Sequence, residues 1–582
     1  MFEQVLDPVA GSLGLSALCA VLPLLTLFVL LGALKVKAWI AGLVALLVAI
    51  LVATVLYSMP VDQALLSAAE GAAFGFFPIL WIVINAIWVY NLTVETGHFD
   101  VLRRSFEKVS PDQRIQAIII AFCFGALLEA LAGFGTPVAI TVVMLMALGF
   151  APLKAAAVAL IANTAPVAFG ALATPIVTLA TVTSGVNDNP GLTTETLGAM
   201  VGRQTPILAV VVPLVLVFVV DGRRGLRQTW PVALVSGLAF GVAQFLASNY
   251  LSVPLTDIIA ALVAAAAVVA MLRVWTPSES PDLARQAHTT VGAHSGGAGA
   301  TAGEQLGDRP GAQGPRDPGA PSIGSGGRDA LPDGRGEVAK AYAPYLIIIV
   351  IFALANIAGV KAFLAKEPWT YTFAWPGLHV FGRGSSTPLS STTFSFGWLP
   401  AAGTMMVLAG ILTAIVLKVS PARALRAYGR TYAELKWAIL TVMAVLALAY
   451  VMNQSGQTTT LGAFLAQTGG FFAFLAPILG WIGVAVTGSD TSANALFGAL
   501  QVQTAARAGL DPVLLAAANT SGGVLGKMIS PQNLAIAAAA VGMAGKEGEL
   551  FRKVFVWSLV LLLGMCVIVV LQSTSVLSWM VP

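Results

Sequence analysis

Two acids and one base stand where charge is rarely tolerated. Glu129 lies in ALLEALAGFGTPVAI (Ala126–Ile140), Asp490 in GSDTSANALFGALQ (Gly488–Gln501), and Lys527 directly follows NTSGGVLG (Asn519–Gly526). These strings are otherwise apolar, small or neutral. A charge at the centre of a bilayer costs about 2.5–3.5 kcal/mol on insertion scales, so each group needs a partner, a wet cavity or a proton. A carboxylate so placed can take up and give back a proton, which makes Glu129 and Asp490 candidates for proton coupling. Both also admit a structural use. Asp490 can cap, with Ser489, a helix starting at Thr491, and Glu129 can form half of an ion pair. Lys527 can meet the carboxylate of a substrate or pair with Asp490.

Helix breaks accompany the acids. Gly133, Gly135, Thr136 and Pro137 should stop a helix just after Glu129. Asn163-Thr164 and Asn519-Thr520-Ser521 place amides and hydroxyls at further breaks, and Ser489 and Thr491 flank Asp490. Freed backbone N–H groups and helix N-termini attract anions. The same residue types also join helices in membranes, and glycines permit close helix packing. If they form a site, it suits a small anion accompanied by a proton.

Such a site must be carried by membrane helices. The 582 residues are 57% hydrophobic and only 10% charged, with a net charge of +4; the mean hydropathy is +0.86. A soluble domain carries roughly a quarter charged residues, so the solvent for this chain is the bilayer. Apolar runs of about 20 residues recur, the length that crosses about 30 Å of hydrocarbon. The fold expected is an all-α polytopic membrane protein with about twelve to fourteen crossings plus re-entrant or broken segments. The short runs Pro137–Phe150 and Leu534–Met543 are among the candidate spans. The first run, Ser12–Leu34, follows Glu3 and Asp7 rather than a basic stretch and reads as a retained span. Cys19, Cys123 and Cys566 all lie in apolar runs, without disulfide or zinc spacing.

A stretch rich in Gly, Pro, Ala, Ser, Asp and Arg interrupts the pattern and reads as a disordered linker. It divides the chain into an N-terminal membrane half (1–274), a linker (275–341) and a C-terminal membrane half (342–582). A second loop, Lys361–Gly397, reads as partly ordered at the membrane surface. Basic residues cluster at Lys35/Lys37, Arg103–Arg114, Arg223–Arg227, Arg423–Lys436 and Lys546–Lys553, whereas the loops at Met59–Gln63, Ser184–Thr196 and Ser248–Pro254 carry none. The positive-inside rule then places the linker in the cytoplasm and both termini outside.

The halves echo one another. ANTAPVAFGALATP (Ala162–Pro175) and ANTSGGVLGKMISP (Ala518–Pro531) share five identities in fourteen, with the same Asn–Gly–Pro steps of seven and five. Lys527 aligns with Ala171. The first window leads toward the outside and the second toward the inside, so the expected architecture is two inverted-topology halves with a site between them.

Other machinery does not fit. GGVLGKM lacks the glycine and Ser/Thr positions of a phosphate loop. His98, His288, His294 and His379 all fall in loops or the linker, which argues against a histidine relay. No nucleophile–base pair or metal cluster supports an enzyme, and no basic patch suggests nucleic acid.

The four strings Gly125–Ile140, Ala162–Ile176, Gly488–Gln501 and Asn519–Ala537, in that order, resemble the bacterial lactate permease family. The resemblance covers both halves and departs most in the linker. It implies proton-coupled uptake of L-lactate, often also D-lactate and glycolate, across the bacterial plasma membrane, with no cofactor beyond the coupling ion. Expected partners are the monocarboxylate and membrane lipid; the oligomeric state, a homodimer included, stays open. A more distant likeness to the hairpins of sodium-coupled anion transporters suggests an elevator-like cycle by analogy alone. A sodium-coupled transporter of another organic anion and an uncoupled facilitator remain the rival readings.

Overall fold

The computed structural model describes residues 2–133, 135–186, 189–277, 334–355, 357–382, 388–543 and 546–582. They are mostly helical. Among them, ten helical runs are long and apolar enough to cross a membrane, or eleven if Pro152–Ala162 and Val167–Thr183, bent by 61°, form one span. The first is Leu13–Ala33, close to the expected first span.

The shortfall from twelve to fourteen crossings has two physical causes. The run Thr194–Leu251 is 58 residues long and counts once. Inside it, Asp221 and Gly222 leave helical geometry, with Gly222 at φ 61°. Beyond them the chain folds back, so that Gly237 meets the Val210 backbone and Gly241 the Pro206 carbonyl. This one run therefore makes two antiparallel passes, as the separate apolar stretches on either side of Arg223–Arg227 suggested. The second cause is length. Thr136–Ala147 has 12 residues and Pro531–Ala540 has 10, about 18 and 15 Å of helix at 1.5 Å per residue. These two expected spans are too short to cross alone.

The elements that build the centre are α1 (Gly125–Ala132), α2 (Thr136–Ala147), α3 (Pro152–Ala162), α4 (Gly170–Thr183), α5 (Thr205–Leu246), α6 (Thr256–Val274), α7 (Phe472–Thr487), α8 (Asp490–Ala508), α9 (Pro512–Gly526), α10 (Pro531–Ala540) and α11 (Glu547–Gln572). The chain enters at Gln113 and returns at Leu148, where Gln113 Nε2 donates to the Leu148 carbonyl at 2.9 Å. α1 and α2 are thus the inner arms of a re-entrant hairpin whose buried tip holds Gly133 and Gly135. α7 and α8 meet at Gly488, in the left-handed region at φ 75°, and form a second hairpin. Each hairpin is followed by a broken helix, α3/α4 after the first and α9/α10 after the second. The halves interlock: α4 packs on α8 and α2 on α10. Within the second half, α7 and α9 touch backbone to backbone, since a Cβ at Gly480, Gly522 or Gly526 would overlap the opposing main chain.

Contacts sort the loops into two groups. One gathers the basic clusters: buried Arg114 pairs with Asp112 at 2.7 Å and Asp221 at 3.3 Å, Lys154 donates to the Val220 carbonyl at 2.7 Å, and Arg430 pairs with Glu95 at 2.7 Å. The other gathers both termini with the sparsely charged loops. Phe2–Glu3 pairs in parallel with Val380–Phe381, Ser390 Oγ donates to the Gly185 carbonyl at 3.0 Å, Lys361 meets Glu195 at 2.6 Å, and Arg203 donates to the Met580 carbonyl at 2.9 Å. The loop Lys361–Gly397 is ordered in its described part, with Tyr371–Ala374 antiparallel to Thr393–Phe396. The helix Arg335–Ala355 begins inside the 275–341 segment expected to be linker, and residues 278–333 of that segment lie outside the described residues.

Candidate functional site

Glu129 sits on α1, one turn before the hairpin tip, and its carboxylate is held from several directions. Lys527 Nζ, from the break after α9, approaches Oε1 at 2.6 Å; the two side chains are only 8% and 3% exposed. Asn163, at the end of α3, donates its Nδ2 to Oε2 at 2.9 Å. Gly170 closes another side, because a Cβ there would lie 2.9 Å from Oε1. A buried ion pair carries a large desolvation cost that its Coulomb attraction only partly offsets, so its presence is weak evidence for stability alone.

Asp490 is the opposite case. It is the first residue of α8, whose N-cap Ser489 accepts from the Ser492 amide at 3.3 Å. The capping reading therefore holds for Ser489, while Asp490 Oδ1 and Oδ2 are both buried and find no hydrogen-bond partner among the described residues. Gly523 on α9 packs against Asp490 Oδ1 and leaves no room there for a Cβ.

Glu129, Lys527 and Asp490 line one small cavity, with about 40 Å³ open to the centre of a water molecule. Gly133 from the first hairpin, Gly170, Ala171, Thr174 and Pro175 from the first broken helix, and Gly488, Ser489 and Thr491 from the second hairpin complete most of the wall. The first turn of α8 thus faces the cavity with its N-terminal dipole end. Across from it, Ala171, Leu172 and Ala173 take φ of 43°, 56° and 59°, three consecutive left-handed residues. They interrupt α4 before its right-handed course resumes at Thr174. Cationic Lys527, a helix N-terminus and the hydroxyls of Ser489, Thr491 and Thr174 can hold a small acid bearing a carboxylate and a hydroxyl. Cavity size restricts the occupant to something of that order.

The sequence-derived candidates divide. Glu129, Asp490, Gly133, Ser489, Thr491 and Lys527 line the cavity. Asn163 supports Glu129 from behind it. Lys527 pairs with Glu129, not with Asp490 as one reading had it, because the hairpin tip brings α1 up to the second break. Gly135 and Thr136 lie at the tip without lining the cavity; Gly135 faces Asn533 and Ile536. The Thr164 hydroxyl donates back to the Ile161 carbonyl at the end of α3, at 2.7 Å. Asn519, Thr520 and Ser521 join helices instead. Asn519 Nδ2 and the Thr520 hydroxyl both donate to Asn494 Oδ1, at 2.9 and 3.0 Å, and the Ser521 hydroxyl donates to Gln204 Oε1 at 2.7 Å. Arg203 places its Nε on Asn249 Oδ1 at 2.9 Å.

Sequence reasoning passed over Ala171, Thr174 and Pro175 as site residues, although the repeated window contained them. It also passed over two buried carboxylates, Glu70 and Asp257. For Asp257 the signal was the one that marked Glu129, a lone acid in an apolar helix; Glu70 shares its helix with Asp62.

A family model described as L-lactate permease matches residues 16–576. The L-lactate permease of Bacillus subtilis (strain 168) is 41% identical over 598 residues, covering 100% of both chains. The glycolate permease GlcA of Escherichia coli (strain K12) is 42% identical over 573 residues, covering 97% of this chain and 96% of its own. Among solved structures, MtrF of Neisseria gonorrhoeae matches with a TM-score of 0.44 at 11% identity, covering 87% of this chain and 83% of its own. The YdaH transporter of Alcanivorax borkumensis matches with a TM-score of 0.44 at 13% identity, covering 87% of each.

Proposed function

The chain belongs to the L-lactate permease family, and from that premise we propose that it imports lactate and related 2-hydroxy monocarboxylates such as glycolate, together with protons, across the bacterial plasma membrane. The cavity between Glu129, Lys527 and Asp490 is the substrate site in this reading. The observation that carries it is the buried Lys527–Glu129 pair at 2.6 Å.

The pair makes coupling an exchange of carboxylates. A substrate carboxylate that reaches Lys527 displaces Glu129 from the ammonium. Glu129, now a buried charge without its partner, takes a proton, since leaving it ionised would cost several kcal/mol. Before the exchange the pair is neutral. Afterwards Lys527, the substrate anion and protonated Glu129 are again neutral together. One anion and one proton enter with no change in buried charge, which suits movement through a low-dielectric interior. Ser489, Thr491 and Thr174 then meet the substrate hydroxyl, and Asp490 carries or senses a proton beside them. The grouping of basic loops supports a cytoplasmic linker with both termini outside. Hairpins entering from opposite faces, each followed by a broken helix, support the inverted-repeat reading.

One observation favours a second reading. The unpartnered Asp490 carboxylate beside the Ser489 and Thr491 side chains is a donor set that suits a hard cation, so sodium is the rival coupling ion. Radiolabelled lactate uptake into proteoliposomes decides between them. Concentrative uptake driven by an inward proton gradient, abolished by uncoupler and indifferent to sodium, is expected. Sodium dependence would transfer the coupling to sodium, and uptake that only equilibrates would make the protein a facilitator.

A further inference from the structure

Asp257 is fully buried in the first turn of α6. Its Oδ1 accepts from Gln244 Nε2 of α5 at 3.2 Å, and its Oδ2 has no hydrogen-bond partner among the described residues. Thr178 on α4 is likewise fully buried, with an unpartnered hydroxyl. Buried polar groups are ordinarily satisfied, by protein or by ordered water, so two such oxygens call for an explanation.

Their positions supply one. A second, larger cavity of about 430 Å³ lies against the sparsely charged loops and is lined in part by Ser252, Val253, Pro254 and Val177. Asp257 follows Pro254 by three residues. Thr178 adjoins Val177 on α4, the helix whose Thr174 and Pro175 line the substrate cavity. Four residues of helix, about 6 Å, separate Thr174 from Thr178. On the other side, Gln244 Nε2 also reaches the Ala165 carbonyl at 3.3 Å, two residues from Asn163, which holds Glu129. α6 packs on α1 and α4, which sets the helix that carries Asp257 against the helix that carries Glu129. α5 contributes the neutral Gln244 to Asp257, and α1 carries the titratable Glu129.

We propose that Asp257, with the Thr178 hydroxyl, carries the proton between this vestibule and Glu129. The inference rests on the proton-coupled reading above. A proton taken from vestibule water binds Asp257 and leaves it for Glu129 as the substrate carboxylate occupies Lys527. Asp257 returns to its starting state, and no bond other than O–H is made or broken. Substrate and proton thus reach the site by different routes, and Asp257 acts through Glu129 without touching the substrate.

The test compares two rates in proteoliposomes, lactate-driven acidification read by an internal pH dye and lactate–lactate counterflow without a pH gradient. Asp257→Asn keeps the side chain's size and removes its ability to carry a proton. The ratio of acidification to counterflow should fall by at least about a hundredfold, the lower end of the range for a lost proton-transfer group. Thr178→Val, which keeps the shape, should lower the same ratio too, by less than Asp257→Asn does. An unchanged ratio in both variants, or a loss of both rates in proportion, overturns the relay. If the wild type shows no lactate-driven acidification, the proton-coupled reading itself fails; if it does and the ratio is unmoved in the variants, only the relay fails.

Discussion

The Lys527–Glu129 pair joins residues 398 positions apart, and a double-substitution cycle measures what it does. At 2.6 Å and an effective dielectric of about 20, the Coulomb attraction is about 6 kcal/mol, most of it offset by desolvation of two ions. Removing one partner forfeits the attraction and keeps the other ion buried. Glu129→Gln or Lys527→Met alone should therefore destabilise the protein by about 3–5 kcal/mol. The double variant removes both ions of the pair and should lie near wild-type stability, a departure from additivity of at least about 3 kcal/mol. Equilibrium unfolding by SDS titration in mixed micelles reads all four proteins. Transport should follow a different order: Glu129→Gln loses accumulation while keeping some lactate exchange, Lys527→Met loses both, and the stable double variant stays inactive. Additive single costs below about 1 kcal/mol would refute the reasoning, as would transport by the double variant.

Gly170→Ala places a methyl 2.9 Å from a carboxylate oxygen that cannot retreat; it should cost about 1–3 kcal/mol and cut uptake at matched expression, read by thermal unfolding and flux. Gly523→Ala crowds Asp490 in the same way and should impair uptake while leaving the Lys527–Glu129 coupling energy unchanged. Lys361→Ala removes a pair that is 53% and 62% exposed; stability should change by less than about 1 kcal/mol, and by less still in high salt. Single cysteines replacing Gln4 and Ser578 in a background without Cys19, Cys123 and Cys566 should be labelled by an impermeant reagent from outside intact cells, and one replacing Arg227 should not. The opposite pattern would reverse the assigned orientation.

Local chemistry in the sequence revealed the parts of the site but not their partnerships. Glu129 and its glycine-rich break could be recognised because a lone acid and a helix stop are both visible within a dozen residues. Lys527 was visible as a misplaced cation, yet its partner was not, because which hairpin tip reaches which break is a property of the packed halves. Asn519, Thr520 and Ser521 misled for a related reason: amide and hydroxyl groups look the same whether they face a cavity or a neighbouring helix, and α8 supplies Asn494 to take them. Nothing in Ala171-Leu172-Ala173 signals a left-handed course, since all three residue types favour a right-handed helix. The short helices α2 and α10 passed for spans because hydropathy records apolarity and not where a chain turns back.

That left-handed turn also sets an energy scale. Three L-residues held at positive φ cost about 1–2 kcal/mol each, or about 3–6 kcal/mol together. Every tenfold step in a concentration gradient is worth about 1.4 kcal/mol. The backbone beside the cavity thus stores as much free energy as a gradient of about two to four decades. Any stage of the cycle in which Ala171–Ala173 relax is driven by the polypeptide itself on the scale of the ion gradient. A glycine at one of these positions, by removing one residue's share of about 1–2 kcal/mol, would shift any conformational balance in which this turn relaxes without touching a single charged group.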